Sequence, residues 1–183
     1  MITHEKASTY IQLRRQIEGS GFEIQAIVLD GRKGIREVFS DLPVQMCQFH
    51  QIMIMRRYLT QNPRLESAKE LKLLCRNLCD ISKDEFIETF NEWNEKWSEF
   101  LNERTYDEDG KWRYTHRKIR AARRSIITNL PYLFTCQDHP ELKIPKTTNC
   151  VESINSKLKE LTRIHRGYNM DLKHKIITEI LSK

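Results

Sequence analysis

The sequence predicts an α/β (α+β) fold that is mostly helical. Over most of the chain, apolar residues recur at three- and four-residue spacing, which is typical of amphipathic helices. Two short segments within the first fifty residues have instead the length and the apolar character of strands. The first sixty residues are therefore predicted to alternate helix and strand, in the order α-β-α-β-α.

The first predicted strand ends at a carboxylate. A helix over 3–19 ends at glycines, and residues 22–29 then alternate polar and apolar side chains before becoming wholly apolar. This change predicts a strand that enters a covered sheet and ends at Asp30 and Gly31. Three further elements are predicted before residue 60, namely a helix over 33–39, a strand over 44–49 and a helix over 51–59.

After Pro63 the pattern becomes helical. A helix is predicted over 66–78, and Ser82 with Glu85 forms the capping box that opens a long helix. That helix carries an aromatic stripe at regular helical spacing, which is predicted to face the core rather than to stack on DNA bases. The stripe consists of Phe86, Phe90, Trp93, Trp97 and Phe100.

Charge is segregated in the middle of the chain. Residues 83–109 hold ten acidic and three basic side chains, whereas residues 111–128 hold seven basic and no acidic ones. The basic run is predicted to form a helix that follows a loop or turn at 106–110 and stops at 129–131, where a proline lies. This helix is either a solvated face or a nucleic-acid-binding surface. The second alternative would use Arg120, Arg123 and Arg124.

The last predicted helix carries a second candidate carboxylate. Three capping side chains at 147–149 precede a helix over 150–163, and Glu152 lies in its first turn. Alone, Glu152 is explained by the helix dipole, and Asp30 by a turn or cap. Together, acidic residues from distant segments can hold two divalent metal ions for phosphoryl transfer.

The composition of the 183 residues excludes several classes of protein. Hydrophobic residues make up 39% and charged residues 31%, which is too apolar for a disordered chain. No apolar run is long enough to span a membrane, and the first residues lack a signal-peptide pattern. Five scattered cysteines suit a reducing compartment, so a cytoplasmic protein is expected. The net charge of +6 makes a polyanionic partner plausible.

Two C-x-x-H pairs leave their chemistry open. Cys47 with His50, and Cys136 with His139, could together form a Cys2His2 zinc site, although their separation matches no compact zinc finger. The alternative is a buried cysteine with a hydrogen-bonded histidine in each pair. Cys75 and Cys79 lie on a leucine-rich helix, where core thiols are expected.

A basic cluster follows Glu152. It either contacts phosphates or is a solvated helix end. Its members are Lys157, Lys159, Arg163, His165 and Arg166.

Three stretches, 27–34, 43–51 and 147–159 with 163–167, resemble segments of the transposases of bacterial insertion sequences in the Mutator-like (MULE) superfamily. The first resembles the strand with the family's second catalytic aspartate, and the second its C-x-x-H block on the next strand. The third resembles the segment that holds the catalytic glutamate. The resemblance covers the chain from about Tyr10 onward.

This resemblance implies a partial RNase H-like fold, interrupted by an all-helical insertion before its last catalytic helix. The domains would be a core over 1–60, an insertion over 61–143 and a closing catalytic helix with a basic C-terminal segment over 144–183. It also implies a three-carboxylate (DDE) active site with two Mg2+ (or Mn2+) ions. The chemistry would be DNA strand cleavage by water and strand transfer by a DNA 3′-hydroxyl. The partners would be the transposon ends and the target DNA.

The resemblance also assigns roles to residues. Asp30 and Glu152 would be the second and third metal-binding carboxylates, and His50 with Cys47 the accessory pair that helps to position DNA. The first catalytic aspartate would precede the first helix, and no residue of this sequence fits it. We therefore expect an N-terminally truncated prokaryotic transposase, associated with the nucleoid and inactive alone. Its uncovered sheet edge would favour self-association or a complementing N-terminal fragment.

Two other functions stay open. The first is a non-catalytic DNA-binding module that uses the basic helices, whose binding would be sensitive to salt. The second is a zinc-organised structural protein that uses the two C-x-x-H pairs.

Overall fold

The computed structural model describes residues 6–31, 33–164, 167 and 169–181. These residues form a mostly helical α+β fold, as predicted, and they contain two two-stranded sheets. The chain divides into two compact units, Met1–Thr147 and Thr148–Lys183. In the described part of the chain, no helix combines the length and the apolar character that crossing a membrane requires.

The first unit opens with the predicted alternation of helix and strand. Its elements are α1 (Ala7–Gly19), β1 (Ile27–Leu29), α2 (Lys33–Val38), β2 (Val44–Met46) and α3 (Gln48–Leu59). The two strands pair in parallel, with Ile27 opposite Val44 and Leu29 opposite Met46. The part of the predicted first helix that precedes Lys6 lies outside the described residues.

The second strand ends earlier than predicted. It stops at Met46, Cys47 caps α3, and the residues from Gln48 to His50 form the first turn of that helix. The backbone N–H of Gln48 donates to the carbonyl of Lys146 at 2.9 Å, so it is not available to extend the pairing with β1. The C-x-x-H block therefore begins at a strand end and continues on a helix, and the prediction of a strand over 44–49 is wrong in its second half.

The rest of the first unit is helical apart from one hairpin. The helices are α4 (Glu66–Arg76), α5 (Lys83–Lys96), α6 (Ser98–Asn102), α7 (Arg117–Leu133), α8 (Thr135–Asp138) and a short 3-10 helix (Pro140–Leu142). The hairpin pairs β3 (Arg104–Tyr106) with β4 (Trp112–Tyr114) in antiparallel fashion. Its second strand occupies the predicted start of the basic helix, which therefore begins only at Arg117. Asp107 closes the turn, because its carboxylate accepts from the N–H of Lys111 at 2.8 Å.

Helix α7 continues through Pro131, so the predicted stop at 129–131 is wrong. A proline inside a helix removes one backbone hydrogen bond and strains the preceding turn. Here the end of the helix is held from outside, because the side-chain amides of Gln45 and Gln48 both donate to the carbonyl of Leu133 at 2.8 Å. Both glutamines are fully buried. These bonds satisfy a carbonyl that a helix end otherwise leaves open.

The aromatic stripe lies in the main core, as predicted. Phe86, Phe90 and Trp93 are buried, and the ring of Phe86 lies 5.3 Å from that of Phe134 between centroids. The indole N–H of Trp93 donates to the carbonyl of Ser67 at 2.9 Å, which satisfies its only polar atom. This core joins residues of β2, α3, α4, α5 and α7.

Gly31 turns the chain directly after β1. Its φ is +99°, and a Cβ built on it would lie 2.8 Å from Sδ and 2.9 Å from Cε of the buried Met46. We expect Gly31→Ala to lower the free energy of unfolding by roughly 1–3 kcal/mol, because the side chain adds both backbone strain and a clash. Urea denaturation followed by circular dichroism measures the change.

Gly34→Ala is the matched control. Gly34 lies on α2, and a Cβ at this position would have no atom within 4 Å, so alanine is expected to leave stability unchanged or to raise it. Equal losses in the two variants would contradict the steric explanation.

The described residues of the second unit form two helices, α9 (Asn149–Ile164) and α10 (Met170–Leu181). The predicted helix over 150–163 corresponds to α9. Helix α10 is not predicted by the sequence pattern, and it lies in the C-terminal segment for which only a basic character is expected.

Candidate functional site

The parallel pairing of β1 and β2 brings two predicted site segments to one edge of the sheet. Asp30 follows the last residue of β1, and Cys47 follows the last residue of β2. The N–H of Cys47 donates to the carbonyl of Leu29 at 2.7 Å, which holds the two strand ends together. The carboxyl ends of parallel strands are where α/β sheets bind ligands, and Asp30 is exposed there.

Cys47 and His50 differ in their access to solvent. Cys47 is fully buried, whereas His50, one turn along α3, is half-buried and has its Nδ1 atom inside the protein. The ring of Phe49 lies edge-on to the imidazole, with centroids 6.3 Å apart. Of the two, His50 is therefore the one that a molecule bound at this edge could reach.

Glu152 belongs to the second unit, in the first turn of α9. The hydroxyl of Thr148 donates to its Oε1 at 2.7 Å, and the N–H of Glu152 donates to the carbonyl of Thr148 at 3.0 Å. The first of these bonds orients the half-buried carboxylate, and the second belongs to the helix backbone. Thr148 is one of the three predicted capping side chains, and in the structure its hydroxyl makes this orienting contact.

The predicted metal ligands fit Mg2+ by their chemistry, since carboxylate oxygens are its preferred protein ligands. Asp30 lies in the first unit and Glu152 in the second, so their convergence stays a prediction. In the described ranges, no group of three or more His, Cys, Asp and Glu side chains is placed to hold a metal ion.

The second C-x-x-H pair lies on α8 and just after it. Cys136 is half-buried, and its N–H donates to the side-chain carbonyl of Gln45 at 2.8 Å. His139 lies 3.3 Å from Glu141 between Nδ1 and Oε1. Cys136, His139, Cys47 and His50 are all described residues, and they form no group of three or more that is placed to hold a metal ion.

Cys79 lies near both Cys47 and Cys136, and the sequence did not indicate that this third cysteine joins them. The thiol of Cys79 interacts electrostatically with those of Cys47 and Cys136. Burial raises the pKa of Cys79 and of Cys136, and it raises the pKa of Cys75 to about 12. The thiolate is the nucleophile in covalent catalysis, so the raised pKa values make Cys75, Cys79 and Cys136 unsuited to it at neutral pH.

The predicted DNA-binding arginines of α7 have different surroundings. The guanidinium of Arg120 stacks on the ring of Tyr114 at 3.4 Å, and Nε of Arg123 donates to the side-chain carbonyl of Asn94 at 2.5 Å. Both are half-buried, whereas Arg124 is exposed. Arg120 and Arg123 thus attach α7 to neighbouring elements, and Arg124 is the arginine of the three that faces solvent.

Further basic side chains are exposed on both units. Arg117 and Lys118 extend the basic surface of α7 at its N-terminal end. Lys157, Lys159 and Arg163 are exposed on α9. The remaining predicted members of that cluster, His165 and Arg166, lie outside the described residues.

A buried polar network was missed by the sequence reasoning. Nη2 of Arg36 donates to the side-chain carbonyl of Asn129 at 3.0 Å, and the amide of Asn129 donates to Gln51 at 2.8 Å. The guanidinium also lies 4.0 Å over the ring of Tyr132. All of these residues lie on helices with amphipathic patterns, so no motif distinguished them.

No protein-family model matches the chain, and neither a curated protein nor a solved structure matches it. Its function is therefore inferred from the sequence resemblance and from the geometry around β1, β2 and α9.

Proposed function

We propose that the chain is part of a Mutator-like DDE transposase, which cleaves and joins DNA strands at a Mg2+-dependent carboxylate site. The observation that carries the proposal is the parallel pair β1–β2, which brings Asp30 and the Cys47–His50 pair to one sheet edge. In this proposal, β1, α2, β2 and α3 belong to an RNase H-like core, and α4 to α8 belong to its helical insertion.

The residues would divide the chemistry between them. Asp30 and Glu152 would be metal ligands, and Thr148 would hold the Glu152 carboxylate in one orientation through its 2.7 Å hydrogen bond. Bound Mg2+ would supply activation of the attacking hydroxyl and stabilisation of the leaving oxygen. His50 would position the DNA at the edge that Asp30 occupies. The family's remaining carboxylate, its first catalytic aspartate, has no match among the residues of this sequence.

The test is Mn2+ binding to the chain, measured by electron paramagnetic resonance. If Asp30 and Glu152 share a metal ion, Asp30→Asn and Glu152→Gln each weaken binding roughly tenfold or more. The double variant is then expected to bind Mn2+ about as weakly as the weaker-binding single variant. Loss of one carboxylate already removes the shared site, so loss of the second has little further effect.

Two exposed carboxylates serve as matched controls. Asp80→Asn and Glu160→Gln remove the same charges from the turn after α4 and from α9, and both are expected to leave Mn2+ binding unchanged. Equal effects of control and site variants, or losses that simply add in the double variant, would count against a shared metal site.

A second function, non-catalytic DNA binding, is favoured by the exposed basic side chains of α7. Its test is fluorescence anisotropy with labelled duplex DNA over a range of salt concentrations. Reversal of Arg117, Lys118 and Arg124 to glutamate should weaken binding, whereas reversal of Arg120 or Arg123 would also disturb packing. DNA binding that depends on these three residues, combined with Mn2+ binding indifferent to Asp30 and Glu152, would favour this second function.

A further inference from the structure

A cavity of about 350 Å3 lies beside the strand-end site, between α2, the turn after it and α7. Val44 and Leu42 form part of its apolar wall, and Gly31, the neighbour of Asp30, also lines it. Its polar lining comes from Arg36, Glu37, Ser40, Thr128 and Asn129. The cavity is thus partly apolar, with several hydrogen-bonding groups directed to one space.

Arg36 carries the charge of this cavity. Arg36 is only 9% exposed, and among the described residues it forms no ion pair with a carboxylate. Within the same part of the chain it donates a hydrogen bond to Asn129, and its Nε atom is buried without a hydrogen-bond partner. A buried guanidinium is costly unless an anion compensates it, and it has five N–H donors to offer.

We propose that this cavity binds a phosphate group, which the guanidinium of Arg36 holds and the hydroxyls of Ser40 and Thr128 help to bind. A guanidinium matches the geometry of phosphate oxygens and can donate two bonds at once. The hydroxyls can donate to the remaining oxygens.

The acidic groups nearby do not cancel this attraction. Glu37 lines the cavity, but it is exposed, as is Asp30. Exposed charges interact through water and are screened by salt, whereas the charge of Arg36 acts from the protein interior. Glu37 is therefore expected to weaken phosphate binding without preventing it.

The source of the phosphate follows from the position of the cavity. Gly31 links it directly to Asp30, so a DNA strand that reaches Asp30 could place a neighbouring backbone phosphate in the cavity. This assignment to DNA rests on the proposed function, whereas phosphate binding by itself does not.

The experiment is calorimetric titration with inorganic phosphate at low ionic strength. We expect Arg36→Met to weaken binding at least about tenfold, because hydrogen bonds from a charged group are lost. Glu37→Gln should tighten binding about two- to fivefold by removing a nearby negative charge. Its matched control, Glu108→Gln, makes the same charge change at an exposed position that does not line the cavity and should have no effect.

Three outcomes would overturn the phosphate site. The first is a folded Arg36→Met variant that binds phosphate as tightly as the unaltered protein. The second is an unchanged phosphate affinity in Glu37→Gln, and the third is an equal change of affinity in Glu37→Gln and Glu108→Gln. If Arg36→Met fails to fold, Thr128→Val, at an exposed position on α7, replaces it and should weaken binding about two- to fivefold.

The source is tested separately by competition with a dinucleoside monophosphate, which carries only a phosphodiester. Displacement of inorganic phosphate supports a DNA backbone source. Binding of phosphate without displacement by the diester overturns the DNA assignment and leaves a site for phosphate monoesters. Failure of the proposed function is detected independently, because Mn2+ binding at Asp30 and Glu152 does not involve Arg36.

Discussion

Replacement of Phe86 by alanine is expected to lower the free energy of unfolding by roughly 3–5 kcal/mol. The side chain is 0% exposed, and its ring contacts those of Phe90 and Phe134, with centroids 6.1 and 5.3 Å away. Alanine removes this contact area and leaves a cavity in a close-packed core, which the surrounding residues can close only in part. Guanidinium denaturation followed by circular dichroism measures the loss.

Phe22→Ala is the control for this prediction. Phe22 is 68% exposed in the segment before β1, so its replacement should change stability by no more than about 0.5 kcal/mol. A loss at Phe86 as small as that at Phe22 would mean that the aromatic stripe is not a close-packed core.

The second large effect is expected at Asn129. Asn129→Leu should lower the free energy of unfolding by roughly 2–5 kcal/mol. It removes the acceptor of the 3.0 Å bond from Arg36 and the donor of the 2.8 Å bond to Gln51, and both partners stay buried. The same denaturation measurement applies.

A second substitution, at Arg36, is expected to restore part of the stability that Asn129→Leu loses. The double variant Arg36→Met with Asn129→Leu should be more stable than Asn129→Leu alone, because no guanidinium is then left unpaired. Asn91→Leu, at an exposed position of α5, is the control and should have little effect. A double variant that loses the sum of the two single losses would show that Arg36 and Asn129 are not energetically coupled.

The fold could be predicted where a local pattern decides the structure. The alternation of helix and strand up to α3, the Ser82 cap and the burial of the aromatic stripe follow from periodicity and from capping chemistry. The end of β2 could not be predicted this way, because it depends on the carbonyl of Lys146, about a hundred residues away. The passage of α7 through Pro131 likewise depends on distant side chains.

The candidate site was predictable in part for the same reason. The position of Asp30 at a strand end can be predicted from the apolar run that precedes it. The position of Glu152 in the first turn of a helix can be predicted from the capping residues before it. The internal contacts of Arg120 and Arg123 were not predictable, because a basic run looks the same whether its side chains face solvent or a neighbouring helix. The buried Arg36 gave no signal either, since a lone arginine on a short helix is ordinarily exposed.

The two glutamine side chains at the end of β2 have a mechanical consequence. Gln45 and Gln48 both end on the carbonyl of Leu133, so α7 cannot slide or turn about its axis without breaking both bonds. A ligand that displaces α7 by binding its exposed basic face is therefore expected to displace the end of β2, which precedes Cys47, as well.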